Sequence, residues 1–75
     1  MVFETIRGLL AEQIGYVESQ ILPSTSLTDD LEAELEDLEE IMILLEQEYP
    51  IEWTEEDLSK LETVRDLTSF VENQI

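Results

Sequence analysis

Carboxylates crowd the middle of this chain, where residues 28–40 read TDDLEAELEDLEE. Clustered carboxylates commonly ligate Ca²⁺ or Mg²⁺, work in pairs in glycoside hydrolysis, or bind a basic protein surface. A Ca²⁺ site needs about six to eight oxygens that converge on one point. A helix spreads its carboxylates around the outside, so we expect weak, non-specific cation binding and no metal site. A chain of 75 residues also offers no obvious cleft for a glycosidase pair.

The residues that most often perform covalent or proton-transfer chemistry are missing. The chain has no cysteine and no histidine, so it has no thiolate nucleophile and lacks the commonest general base and metal ligand. We therefore expect that the protein is not an enzyme.

The charge balance predicts the kind of partner. Twenty acidic residues against three basic ones give a formal net charge of −17, which repels nucleic acid and anionic lipid. A partner that binds by electrostatics should present Lys and Arg, although the charge would also serve solubility alone. No segment resembles a membrane span or a signal peptide, so we expect a cytoplasmic protein. We also expect a monomer.

The elements that must position these carboxylates are helices. Apolar residues make up 43% of the chain and recur at steps of three and four, with only two glycines and two prolines. The four predicted helices cover residues 2–15, 33–49, 55–61 and 64–73. Gly15 suits the end of the first helix, and Pro50 stops the second. The pattern predicts an all-α fold, a small antiparallel four-helix bundle in one domain, residues 1–75, with a short third helix.

The long connection between the first two helices leads to the predicted start of the second at about residue 33. Thr28, Asp29 and Asp30 are suitable caps for that start. Thr54 and Thr63, each followed by Asp three residues later, predict capping boxes for the third and fourth helices. We expect three apolar side chains of the connection to pack onto the bundle: Ile21, Leu22 and Leu27.

Several stretches of the sequence resemble the acyl carrier protein family without a gap. They read AEQIGY, TSLTDDLEAE and DLEEIMILLEQEYPIEWTEEDLSKLETVRDLTSFV. The resemblance implies a four-helix carrier fold. In that family, a serine in an Asp-Ser-Leu motif at the start of the second helix carries phosphopantetheine. The matching positions here are Glu34, Leu35 and Glu36, so the resemblance implies that the attachment serine is replaced by Leu35 and that no cofactor is bound.

No other residue rescues the attachment. Ser26 and Thr28 fall in the preceding loop, and Ser59 belongs to the third helix. Moving Asp37 onto the serine position needs a two-residue deletion, which rotates the apolar seam by about 200° and recovers no hydroxyl. In the gapless register, Leu35 falls in line with a seam of apolar residues that also contains Leu31, Leu38 and Met42.

The resemblance also assigns a partner-binding surface. Four acids match family positions that meet basic patches on enzymes: Glu34, Asp37, Glu40 and Glu46. We expect the last three to share a broad outer face of the second helix. The alternative is an ordinary solvated face opposite the core. Trp53 is interpreted either as a plug of the family's acyl cavity or as ordinary core filling.

Three functions fit these observations. The first is a carrier-like interaction module that cannot carry phosphopantetheine and docks through its acidic second helix on a basic enzyme surface. The second is a working acyl or peptidyl carrier of fatty-acid, polyketide or non-ribosomal peptide synthesis, with phosphopantetheine on a mutated or non-standard site. The third is a helical adaptor whose likeness to carriers is convergent.

Overall fold

The chain folds into four α-helices, described over all 75 residues by a computed structural model. The helices are α1 (Val2–Ile14), α2 (Leu35–Glu48), α3 (Glu55–Ser59) and α4 (Val64–Glu72), and a 3-10 turn covers Glu18–Gln20. The predicted all-α four-helix fold is confirmed, and each helix end lies within two residues of its predicted position. No helix combines the length and the apolar character that a bilayer crossing requires.

The ends of α1 and α2 follow from backbone preferences. Gly15 adopts the left-handed conformation, with φ 80°, and its N–H donates to the carbonyl of Ala11 at 2.8 Å. Tyr49, which precedes Pro50, is extended, with φ −132° and ψ 148°. Proline disfavours the helical conformation in the residue before it, so the predicted stop of the second helix is confirmed.

The predicted capping boxes of α3 and α4 are also confirmed. The Thr63 hydroxyl accepts the N–H of Asp66 at 3.2 Å, and the Asp66 carboxylate accepts the N–H of Thr63 at 3.1 Å. The N–H of Glu62 donates to the same carboxylate at 3.0 Å, and these backbone bonds lower the pKa of Asp66. Thr54 and Asp57 make the same reciprocal pair at α3.

The prediction that Thr28, Asp29 and Asp30 cap α2 is wrong, because the N-cap of this helix is Glu34. These residues lie in a turn that closes on itself: the Asp29 N–H donates to the Ser26 hydroxyl at 3.0 Å, and the Ser26 N–H donates to the Asp30 carboxylate at 2.8 Å. Short polar side chains favour such local bonds over a helix start. The helix begins only at Leu35.

The connection between α1 and α2 forms part of the core. Its Ile21 and Leu27 are fully buried, as predicted, whereas Leu22 is 55% exposed, so that prediction is wrong. Ile21 is extended, with φ −94° and ψ 110°, and consecutive side chains of extended backbone point to opposite sides. Because Ile21 points inward, Leu22 faces solvent.

Backbone hydrogen bonds join this connection to the start of α4. The N–H of Leu27 donates to the carbonyl of Glu62 at 2.8 Å, and the N–H of Val64 donates to the carbonyl of Thr25 at 3.0 Å. The hydrophobic core contains sixteen buried residues: Val2, Ile6, Leu10, Ile21, Leu27, Leu31, Ala33, Leu38, Ile41, Met42, Leu45, Ile51, Leu58, Val64, Leu67 and Val71.

Two side-chain contacts join α2 to the segment that opens α3. The indole N–H of Trp53 donates to the carboxylate of Glu46. The carboxyl of Glu39 shares a hydrogen bond with Glu55, and this bond, desolvation, and repulsion from Glu55 and Glu36 raise the pKa of Glu39. One proton is needed to hold two carboxyl groups together, so this contact favours the protonated form.

Glu32 lies in the left-handed region, with φ 53°, where a side chain crowds the backbone. Replacing Glu32 with Gly should therefore raise the free energy of unfolding by about 1 kcal/mol. Urea unfolding of both proteins followed by circular dichroism measures the difference.

Glu52→Gly is the matched control, because Glu52 is also an exposed acid outside the helices but has no positive φ. It removes the same charge and should lower the free energy of unfolding, because added chain freedom is lost on folding. An equal increase in the free energy of unfolding for both variants would mean that charge removal, and not the conformation of residue 32, is responsible.

Glu39→Gln should stabilise the protein increasingly as the pH rises. A carboxyl with a raised pKa contributes stability in its protonated form, and that contribution is lost as the pH rises through the raised value. Glutamine keeps a neutral donor for Glu55 at every pH. Unfolding measured from acidic to neutral pH should show a growing advantage over the wild type.

Glu40→Gln removes the same charge from α2 at an exposed position that takes no part in the Glu39–Glu55 contact. Its gain in the free energy of unfolding over the wild type should be smaller and should change less with pH. The same pH profile for both variants would argue that general repulsion dominates and that the Glu39–Glu55 contact contributes nothing specific.

Candidate functional site

The N-terminus of α2 presents an apolar side chain among acids. Glu34 is the N-cap, with φ −89° and ψ 164°, and its N–H donates to the Asp37 carboxylate at 3.0 Å. Leu35 is the first helical residue and its side chain is 54% exposed. Glu36 and Asp37 follow in the first turn, where negative charge interacts favourably with the helix dipole.

The prediction that Leu35 joins the apolar seam is wrong. Leu31 is buried, but it lies before the helix, and Leu38 and Met42 are buried on α2 itself. The connection brings Leu31 and Ala33 into the core at this end of α2. Leu35 therefore lies beyond the core, at the exposed end of the helix.

The side of α2 that faces away from the core is acidic with one apolar residue. The core side carries Leu38, Ile41, Met42 and Leu45. Successive residues turn by about 100°, so the opposite side carries Glu36, Glu40, Ile43 and Gln47. All four are exposed, and we call them the outer face of α2.

The four acids predicted from the resemblance do not form one stripe. Glu40 lies on the outer face, but Asp37 and Glu46 are nine positions apart and therefore lie about 180° from each other on the helix. Asp37 is half-buried and caps α2, whereas Glu46 accepts from the Trp53 indole. The expected broad face shared by Asp37, Glu40 and Glu46 is thus wrong, while the role of each acid in partner binding stays a prediction.

Sequence reasoning missed Glu36 as a member of the outer face. In the resemblance to the carrier family, Glu36 was matched only with the leucine of the Asp-Ser-Leu motif. Counting about 100° per residue from the buried positions of α2 would have placed Glu36 and Glu40 together, one turn apart. The signal was present in the apolar pattern.

Trp53 lies in the segment between α2 and α3. Its ring is half-buried against the core, and its N–H is bonded to Glu46, as expected for core filling with a satisfied indole. An open pocket between α2 and α3 would contradict the hypothesis that Trp53 plugs the family's acyl cavity, and no such pocket is found. Nor do three acids anywhere converge in a group suited to a metal ion.

The site can offer partners charge and an apolar side chain, and it has few groups for covalent chemistry. No serine or threonine occurs between Thr28 and Thr54, a range that includes the whole of α2. The one hydroxyl in this range belongs to Tyr49, which donates to the Thr5 hydroxyl at 3.2 Å. The exposed groups of the outer face are carboxylates, an amide and an aliphatic side chain.

Comparison with known proteins gives a whole-length match. No family model matches the chain. An acyl carrier protein of Thermosynechococcus vestitus (strain NIES-2133 / IAM M-273 / BP-1) is 30% identical over 74 residues, which cover 99% of this chain and 91% of that protein. Convergence does not account for a match of this extent together with the four-helix fold. The chain belongs to the acyl carrier protein family.

Proposed function

We propose that this protein is a carrier-like interaction module that does not carry phosphopantetheine and that docks on an enzyme through the acidic face of α2. Membership of the family indicates a carrier-type protein rather than an enzyme. The carrier role has two parts, attachment of the prosthetic group and docking on enzymes, and here only docking remains. Attachment of a prosthetic group requires one hydroxyl in the correct place, whereas docking requires only the shape and charge of the surface.

The observation that carries the proposal is Leu35 at the first position of α2. The resemblance matches this residue with the attachment serine, and a phosphodiester forms through a hydroxyl oxygen that leucine lacks. The residues around it do not fit the cofactor either, because Glu34 and Glu36 flank Leu35 and no serine or threonine follows before Thr54. We therefore derive no step through phosphopantetheine.

The acids of α2 support the docking role. The helix carries six acidic residues and no basic one, in a chain with a net charge of −17. Glu34, Glu36 and Glu40 are exposed and meet no basic side chain within the protein. Such a surface attracts a partner rich in Lys and Arg and orients it before contact. Glu46 and Asp37 contribute to the same field from the two flanks of the helix.

The alternative function is a working carrier that holds phosphopantetheine on a non-standard hydroxyl. The whole-length similarity to an acyl carrier protein favours it. The exposed hydroxyls available for this purpose lie outside α2, for example Ser19 and Ser24 in the connection and Ser59 in α3. The two functions differ in whether the chain is a substrate of the modifying enzyme or only its competitor.

A competition experiment tests docking. A broad-specificity phosphopantetheinyl transferase modifies a true acyl carrier protein while this chain is added in increasing amounts. We expect this chain to slow modification, with an effect that weakens as salt rises, because screening reduces attraction between exposed charges. Gel shift or mass spectrometry of the true carrier measures the rate.

Matched variants locate the interaction. Glu36→Gln/Glu40→Gln should inhibit less than the wild type, whereas Glu12→Gln/Glu72→Gln removes the same charge from exposed positions outside α2 and should inhibit almost as well. Equal weakening in both pairs would mean that net charge alone acts. No inhibition by the wild type at low salt would contradict the proposed docking.

A further inference from the structure

The exposed apolar side chains of the protein fall into two groups. Five lie at the chain ends or in the connection after α1: Met1, Tyr16, Val17, Leu22 and Ile75. The other two, Leu35 and Ile43, lie on α2 and are 54% and 45% exposed. A single exposed leucine is ordinary in a folded protein, so position and surroundings must distinguish Leu35 from Leu22.

The surroundings of Leu35 are uniformly acidic. Glu34 and Glu36 adjoin it in sequence, and Glu39 lies one turn further along the same side of α2. Ile43 follows at the next turn, about 12 Å from Leu35 along the helix axis. The helix therefore presents two apolar side chains within a rim of carboxylates.

Charge decides what covers this surface. A second copy of the chain would bring one acidic rim against another, and like charges placed together oppose association. An anionic membrane or a nucleic acid would be repelled for the same reason. A protein surface with an apolar recess bordered by Lys and Arg complements both features of the site.

We propose that Leu35 is an apolar anchor that inserts into a recess bordered by basic residues on the partner enzyme. This inference rests on the proposed function and adds a division of roles to it. The carboxylates accelerate and orient the encounter, whereas burial of Leu35 slows dissociation. A few side chains that become fully desolvated near the centre of an interface contribute most of its binding energy, whereas charges at the rim contribute mainly to the association rate.

Binding kinetics test the anchor. Immobilised phosphopantetheinyl transferase is the probe, and association and dissociation rates are measured separately for each variant by surface plasmon resonance. Leu35→Ala should raise the dissociation rate about tenfold, as expected for the loss of a central apolar contact, and should leave the association rate nearly unchanged. Alanine is used because it adds no hydroxyl for the transferase to modify.

Leu22→Ala is the matched control, since Leu22 is 55% exposed and lies in the connection, outside α2. Both side chains are largely exposed, so both variants should fold, which circular dichroism confirms. Leu22→Ala should keep the wild-type rates. Glu36→Gln/Glu40→Gln should instead lower the association rate and its dependence on salt.

The outcomes separate the anchor from the docking role. Wild-type binding with the same dissociation rate for Leu35→Ala and Leu22→Ala overturns the anchor and leaves acidic docking intact. No binding of the wild type overturns both. A selective rise in the dissociation rate of Leu35→Ala supports the anchor.

Discussion

The path of the connection between α1 and α2 is the constraint on which the candidate site depends. Ile21, Leu27, Leu31 and Ala33 enter the core from this segment, and its backbone is bonded to the start of α4. With the connection held in this way, α2 cannot begin before Leu35 without withdrawing Leu31 and Ala33 from the core. Leu35 is consequently displayed at the exposed end of the helix.

The charge of the chain acts against the compactness that the core provides. At the α2–α3 junction, for example, the hydrogen bond with Glu55, desolvation, and repulsion from Glu55 and Glu36 raise the pKa of Glu39. Self-repulsion at a net charge of −17 lowers stability, and a small domain has little core with which to offset it. The same acidic surface that lowers the stability of the isolated protein would attract a basic partner. We take this as the physical basis of the docking proposal.

The sequence predicted the helices well because their signals are local. Gly15, Pro50 and the Thr63–Asp66 capping box each act within a few residues, and each appears in the structure as expected. The predicted cap of α2 was wrong because Thr28, Asp29 and Asp30 are equally suitable for a turn and for a helix cap. The burial of Leu31 and Ala33, a tertiary effect that the local pattern does not reveal, adds to the local bonds of this turn.

The candidate site was predictable in composition and less so in geometry. The acids of α2 were evident, but the resemblance grouped Asp37 with Glu46, which lie on opposite flanks of the helix. Leu35 was assigned to the core because its spacing from Leu38 and Met42 fits a seam. Spacing does not reveal where along a helix the core ends, and so it did not reveal that Leu35 is exposed.

Intact mass after treatment with a phosphopantetheinyl transferase tests the central claim most directly, with a true acyl carrier protein modified in parallel. We predict an unshifted mass for the wild type and a gain of one phosphopantetheine for Leu35→Ser/Glu36→Leu, which restores both the hydroxyl and the leucine of the carrier motif. A shifted wild-type mass would contradict the account, because another hydroxyl would then serve as the attachment site and the protein would be a working carrier.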